Sequence, residues 1–514
     1  MNRSKRYCVH LSGASFFYVV YLLLRQRKVY ILSVDFSFRP TRPFFMGLFN
    51  WLKRRCIFKD IFDEIQGLRH FRDITSYADR RDLYYKAEQV LDQYFNTART
   101  DEKFSDYSSA IKHITCNYVR RWSLLPFVLN HIRKCRSLSD FQIIGLESDI
   151  GVMYEGYFGE RLFPAVKVRK NLRIFINFFQ GLLILIYGLS WVLSRIRLTN
   201  RAKKSYYLGV DYTHDRDLRG LQLVKEITDP DKEIIFFFRN KKLEYQYKKS
   251  LDSCDWRTVG DGTFCLSQGL ISLLQIFFDT VKLSACFIGV ESDKFFQITL
   301  LPYRRMVFRV LVQSNPVKFF LCRDDYNSEH SLRSQELRRA GSQSLSVMHG
   351  VPYENIIEPS LRYIDYDFYY IFGEHIYETY YKERWSKEMT VRAIGPWGMG
   401  RIELARLAEP RPKDLIYFSR SGPREGMIMT TLRQLAALYP NRKFYIKLKQ
   451  GIERYTEVDL ENYENLPSNM IMVPSEENSY EWMLQAQFAA GSATTAVFEA
   501  ITYGLKPLVF DLHE

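Results

Sequence analysis

Eight cysteines are all that a 514-residue chain offers toward disulfide or thiolate chemistry, and they are scattered: Cys8, Cys56, Cys116, Cys135, Cys254, Cys265, Cys286 and Cys322. None stands in a Cys-x-x-Cys pair or at ligand spacing from a histidine, which excludes a zinc module and a disulfide-stapled scaffold. Several lie in apolar or strand-like runs, so reduced, buried thiols in a cytoplasmic protein are expected. Low-complexity tracts are absent, as are repeats. The one echo, Gly-x-Glu-Ser-Asp at Gly145 to Asp149 and again at Gly289 to Asp293, has unmatched flanks. A cleavage pattern of small residues is missing after the basic start (Arg3, Lys5, Arg6) and the apolar run 16–24. Arg25, Gln26, Arg27, Lys28 and an expected strand at 29–34 follow at once, which argues against a secretory signal peptide. Gly13, between a strand at 7–11 and the apolar run, reads instead as the start of a βαβ unit. Charge is missing altogether from the 20 residues 174–193.

What is present begins with length. A chain of 514 residues holds two to four domains and buries a core without difficulty. Its 46% hydrophobic content is ordinary, and its 16% aromatic content is high. The net charge of +15 is uneven. Residues 1–204 carry 35 Lys+Arg against 17 Asp+Glu, net +18, and residues 205–514 carry 38 against 41, net −3. Such asymmetry points to an anionic partner for the first half, either nucleic acid or an anionic leaflet. The uncharged run 174–193 favours the leaflet, because it is long enough to span a bilayer. Basic residues flank both of its ends: Lys167, Arg169, Lys170 and Arg173 before, Arg195, Arg197, Arg201, Lys203 and Lys204 after. A single span wants the excess on one side. Symmetric flanks suit a segment that dips into one leaflet or lies on it at least as well, with a buried core helix as the alternative. The basic half contains no recognisable nucleic-acid module, so no nucleic-acid partner is expected.

Four regions are expected. Residues 1–170 form a basic mixed α/β region, and 171–204 the apolar segment with its basic flanks. Residues 205–395 and 396–514 each alternate strand and helix, with strands expected at 206–210, 234–238, 285–290, 317–322 and 345–348 in the first. Alternation of this kind predicts parallel sheets covered on both faces. Gly395, Pro396, Gly398 and Gly400 mark a hinge. In such sheets ligands sit beyond the carboxyl ends of the strands, in the cleft between domains. That rule selects Asp324, Asp325 and Glu329 after 317–322, and His349 and Gly350 after 345–348. It also selects Ser419, Arg420, Ser421 and Gly422 after 416–418, and Lys447 and Lys449 after 444–446. The last turn, Gly491 to Thr495, follows a strand at 488–490 and opens a helix. Its Ser492, Thr494 and Thr495 suit a phosphate at a helix N-terminus, and Glu499, four residues past Thr495, suits ribose hydroxyls. Plain helix capping is the alternative for the hydroxyls and for Asp325 and Glu329.

The series Ser346 to Pro352 (a strand, then His-Gly), Tyr369 to Glu374, Val391 to Gly395, 415–419, 444–449 and 489–511 resembles bacterial surface-polysaccharide glycosyltransferases of GT-B fold. The likeness covers residues 205–514 and extends to capsule-type transferases, sialyl- and Kdo-transferases, glycerol-phosphate polymerases and a sugar-nucleotide epimerase. It implies two Rossmann-type parallel-sheet domains facing a cleft. It also implies inverting, metal-independent transfer of a sugar, with a nucleotide-sugar as substrate, no cofactor, and a polysaccharide or lipid-linked acceptor. Charge and hydropathy add an anionic membrane surface, hence a peripheral or monotopic place on the cytoplasmic face of the membrane.

Glycosyl transfer needs a base for the acceptor hydroxyl and donors for the departing phosphate. In glycerol-phosphate polymerases the histidine of His-Gly resembles a general base, which carries over to His349; in sialyl- and Kdo-transferases a carboxylate serves, which favours Asp325 or Glu329. Arg420, with its serines, would grip the phosphate. Asp365 and Asp367 alternate but precede a strand, and no metal is expected. Two departures stand out. Relatives carry His-Pro where this chain has Lys449 and Gln450, and they add a closing helix or two beyond the strand before Glu514. A polyol-phosphate or sugar-phosphate transferase, an epimerase, and a degenerate transferase domain used as a scaffold remain open.

Overall fold

The computed structural model describes residues 6–11, 13–25, 27–34, 59–60, 82, 86, 88–89, 91–96, 99–121, 125–134, 141–145, 148–160, 170–198, 204–212, 233–239, 255–322, 325, 327–350, 359–399, 401–419, 425–448, 461–474, 477–491 and 495–510. Among them, three all-parallel sheets of four, seven and five strands organise the chain. The first contains β1 (Arg6–Leu11), β2 (Lys28–Val34), β3 (Lys59–Asp60) and β4 (Phe141–Ile144), ordered β3-β2-β1-β4. The helix Gly13–Leu24 links the parallel pair β1 and β2, so the expected βαβ start is present.

The apolar run forms one helix, Lys170–Arg195, followed by the two-residue strand β5 (Ile196–Arg197). The seven-stranded sheet then opens with β6 (Tyr206–Tyr212), β7 (Ile234–Phe238) and β8 (Asp255–Thr258). Strand β9 (Phe264–Cys265) pairs with β5 and leads into a second apolar helix, Leu266–Phe287. Helices Ser292–Thr299 and Leu301–Ser314 follow, and the sheet resumes with β10 (Val317–Cys322), β11 (Gln343–Val347), β12 (Phe368–Ile371) and β13 (Thr390–Ala393). Its order is β13-β12-β11-β10-β6-β7-β8, which numbered along the chain is the Rossmann order with one strand added at the edge. Of the stretch 285–290, expected as a strand, residues 285–287 instead end the second apolar helix and 288–290 form the turn after it.

Side chains alternate across this sheet. Ile235, Phe237 and Phe320 join the core on one face, and Leu208, Val210, Phe236 and Leu321 the core on the other. Gly209 in β6 leaves room for the rings of Phe237 and Phe320, which stack 5.6 Å apart over it. A Cβ there would lie 2.9 Å from each ring. The helix Ser108–Arg121 also belongs to this body. Its Ala110, Ile111 and Ile114, with Phe104 and Tyr107, share a core with Leu283, Phe295 and Leu332.

The last sheet has β14 (Leu415–Phe418), β15 (Phe444–Lys447), β16 (Met470–Val473), β17 (Phe488–Gly491) and β18 (Lys506–Val509), ordered β16-β15-β14-β17-β18. The Rossmann order therefore recurs. Both faces are covered: Ile416, Tyr445 and Ala489 enter one core, Leu415, Ile446 and Ala490 the other. The expected fold class, α/β with two Rossmann-type parallel-sheet domains, is what the chain adopts.

The two apolar helices pack antiparallel. Asn177, fully buried in the first, donates Nδ2–H to the Ile288 and Val290 carbonyls beyond the end of the second, 2.8 Å each. A Cβ on Gly181 would lie 2.8 Å from Ser284 Oγ and one on Gly188 2.5 Å from Ile276 Cδ1, so glycine sets the close approach. Toward the other end Val192 and Ile276 share a core with Phe264, Met306 and Val310.

Candidate functional site

The carboxyl end of β11 delivers the turn His349-Gly350, and the carboxyl end of β17 delivers the helix Thr495–Thr502. These meet. A Cβ built on Gly350 would lie 2.9 Å from Thr495 Oγ1, so the glycine is what lets the turn of one sheet touch the helix start of the other. His349 is exposed there.

Asp325 fixes this turn from behind. It is buried three residues past β10, and its Oδ2 accepts both the His349 backbone N–H and the Tyr369 hydroxyl, 2.8 Å each. Burial pushes its carboxyl above the usual range, and the His349 N–H and Tyr369 O–H only partly offset this. A carboxylate so engaged shapes the turn through its backbone. Glu329 is held differently, ion-paired to Arg304 at 3.1 Å and Arg333 at 3.3 Å. Burial works against its ionisation, but Arg304, Arg333 and Arg239 outweigh burial and hold its pKa low, which leaves it a weak proton acceptor.

The Glu329 pairs belong to a larger cluster that the carboxyl-end rule, applied to β6 and β7, would have found. Asp211, in β6, is almost fully buried; Arg239, just past β7, donates Nε–H at 3.1 Å and Nη2–H at 2.7 Å to it, and Arg333 Nη1–H at 2.6 Å. Burial alone would raise the Asp211 pKa; the two guanidinium groups overcome it and bring the pKa to about 2. The sequence signal was a charged residue late in, or just after, an apolar strand run.

In the last domain, carboxylates are met by hydroxyls. Glu499, one turn into the helix, accepts the Tyr480 hydroxyl at 3.0 Å. Gly398 holds Tyr480 in place, since any Cβ there would overlap the Tyr480 ring, and Tyr503 Oη accepts the Met399 N–H at 3.1 Å. Residues of the expected hinge thus pack on Tyr480, the partner of Glu499, and on Tyr503, the residue after its helix. Ser419, buried at the end of β14, shares a hydrogen bond with Tyr463, whose hydroxyl, like that of Tyr417 at 2.8 Å, donates to Glu425. Lys447 is buried and donates to the carbonyls of Pro474 and, at 2.8 Å, Glu477, which ties β15 to the loop after β16. Arg420, Ser421, Gly422, Lys449, Ser492 and Thr494 lie outside the described residues.

Asp365 and Asp367 sit before β12, at the amino ends of the strands. Asp367 Oδ2 accepts the Ser344 N–H at 2.6 Å and its hydroxyl at 2.9 Å, and Arg338 pairs with both aspartates. Among the described residues no three His, Cys, Asp or Glu side chains gather at metal-binding spacing.

No family model matches the chain, and no curated protein matches it. Solved structures with a similar fold exist. The Neisseria meningitidis UDP-GlcNAc 2-epimerase bound to UDP-GlcNAc matches at 11% identity and TM-score 0.38, over 60% of this chain and 82% of that one. MurG of Acinetobacter baumannii matches at 12% identity and TM-score 0.33, over 60% and 79%. UGT2 of Phytolacca americana, complexed with UDP-2fluoro-glucose and pterostilbene, matches at 10% identity and TM-score 0.33, over 61% and 81%. At these values none of them bears on which reaction the chain performs.

Proposed function

We propose that the chain is a glycosyltransferase that moves a sugar from a nucleotide-activated donor to a polysaccharide or lipid-linked acceptor at a membrane face, with inversion and without a metal. The observation that carries the reading is the contact of the His349-Gly350 turn with the start of the Thr495–Thr502 helix. In this reading the donor phosphate lies at that helix start, where backbone N–H groups and the dipole favour negative charge. Glu499 accepts hydrogen bonds from the ribose, oriented by Tyr480. The acceptor hydroxyl approaches from the seven-stranded sheet and gives its proton to the His349 imidazole. Its oxygen bonds to the anomeric carbon as the bond from that carbon to the phosphate oxygen breaks, and the pair of electrons stays on the nucleotide phosphate. Asp325 is a positioning residue that holds the His349 turn by its backbone.

Purified protein is incubated with membranes and a panel of radiolabelled nucleotide-sugars. Label is expected in an acceptor fraction with one donor, with transfer by His349→Ala reduced about 100-fold or more, the typical contribution of a general base. Release of an epimerised nucleotide-sugar with no label in the acceptor would contradict transfer.

A further inference from the structure

We infer that the antiparallel helices Lys170–Arg195 and Leu266–Phe287 form one embedding surface that lies in the plane of a single leaflet of an anionic bilayer and does not cross it. This rests on the proposed function only for its purpose, access to a membrane acceptor; the surface stands on its own observations.

Both helices are long and apolar enough to span, with mean hydropathy 1.8 over Arg173–Arg195 and 1.5 over Leu266–Phe287, yet only 28% of each apolar window is buried. Their outward sides carry large apolar residues at helical spacing. Phe175, Phe178, Leu182, Leu183 and Ile186 are exposed on the first, and Leu270, Leu274, Phe277, Phe278 and Val281 on the second. Leu183 and Phe278 are 62% and 63% exposed, values that water would penalise over so large a continuous patch. The helix Gly13–Leu24 touches the first of the pair and adds exposed Tyr21 and Leu24, followed by exposed Arg25 and Arg27.

Spanning is excluded by what lies underneath. The inner side of the pair is joined to the folded body along its length, by Leu283 and Phe287 packed with Phe295 and Leu301 near one end and by Val192, Ile276, Met306 and Val310 toward the other. Behind those residues the helix Leu301–Ser314 carries Arg305 and Arg309, both paired with Glu336. A bilayer core cannot accommodate that body on one flank of a crossing helix. Immersion by one helix radius, about 5 Å into the headgroup and acyl boundary, is what an amphipathic surface of this kind permits. The outer face itself carries no acidic side chain that opposes an anionic leaflet. Asp279 of the second helix turns inward and accepts the Tyr107 hydroxyl at 2.6 Å. Arg173 and Arg195 mark the two ends of the first helix, within a region of net charge +18.

The test uses the full chain with phosphatidylcholine vesicles, with and without one-third phosphatidylglycerol. Flotation is expected with the anionic vesicles and at least tenfold less with neutral ones. The double variant Leu183→Glu, Phe278→Glu should lose flotation while any nucleotide-induced thermal shift stays unchanged, which separates this surface from the proposed reaction. Depth is read by brominated-lipid quenching of Phe175→Trp, Leu183→Trp and Leu193→Trp, each as the difference from the parent protein. In-plane embedding predicts one shallow depth for all three. A deep Leu183→Trp between two shallow positions would overturn it in favour of a span. So would no flotation of folded protein, equal flotation with neutral vesicles, or a stable dimer in solution whose formation the double variant abolishes.

Discussion

The two Rossmann-type domains arrange the carboxyl ends of their sheets by different chemistry. In the seven-stranded domain the groups are ions, apart from Asp325, which a backbone N–H and the Tyr369 hydroxyl hold. Asp211 and Glu329 lie among Arg239, Arg304 and Arg333. In the five-stranded domain Glu425 and Glu499 accept hydroxyls from Tyr417, Tyr463 and Tyr480, and the buried Lys447 spends donors on main-chain carbonyls. A buried ion network is rigid and costly to break, because removing one member strands the others. A hydroxyl network costs less per bond, and a carboxylate oriented by a tyrosine can accept a sugar hydroxyl as well. Under the proposed function, stability and the shape of the His349 side belong to the first domain, and nucleotide exchange to the second.

Breaking the ionic side should have the largest effect. Asp211→Ala leaves Arg239 and Arg333 without their shared counter-charge and is expected to cost about 3–5 kcal/mol, read by urea unfolding. The same residue sets a pH dependence. Its folded pKa of about 2 lies below the ordinary 3.8, so its contribution is fully present above pH 4 and is lost as pH falls toward 2. That window is worth about 2 kcal/mol, and an Asp211→Asn protein should lack this part of its acid destabilisation. Next, Asp325→Ala should slow turnover about 100-fold through misplacement of His349 while nucleotide binding is kept; equal loss of both would make Asp325 a plain folding residue. The hydroxyl side is expected to yield the smallest change. Tyr480→Phe removes one hydrogen bond to Glu499, about 1 kcal/mol, and should weaken nucleotide binding about fivefold without a shift in the acid unfolding profile.

Much of this frame is legible from residues alone. Strands at 234–238 and 317–322 were placed to the residue: Glu233 and Arg239 bound the first run, and Pro316 and Arg323 the second. The final strand, Lys506–Val509, carries Pro507 inside it; β18 is an edge strand, where a missing N–H is tolerated. Directions of side chains were not legible. Nothing in the sequence says that Lys447 turns inward to carbonyls, that Asp325 reaches the N–H of a residue 24 positions away, or that the helix 266–287 lies outside the sheet's cover beside 170–195. Those depend on which elements the topology brings together.

Calorimetric titration of the purified chain with UDP, CMP, GDP, CDP and TDP addresses the central claim most directly. The account predicts that one nucleotide class binds and that Glu499→Ala weakens it at least tenfold while Asp325→Ala does not. Absence of binding by every nucleotide to folded protein, or binding indifferent to Glu499, would contradict it.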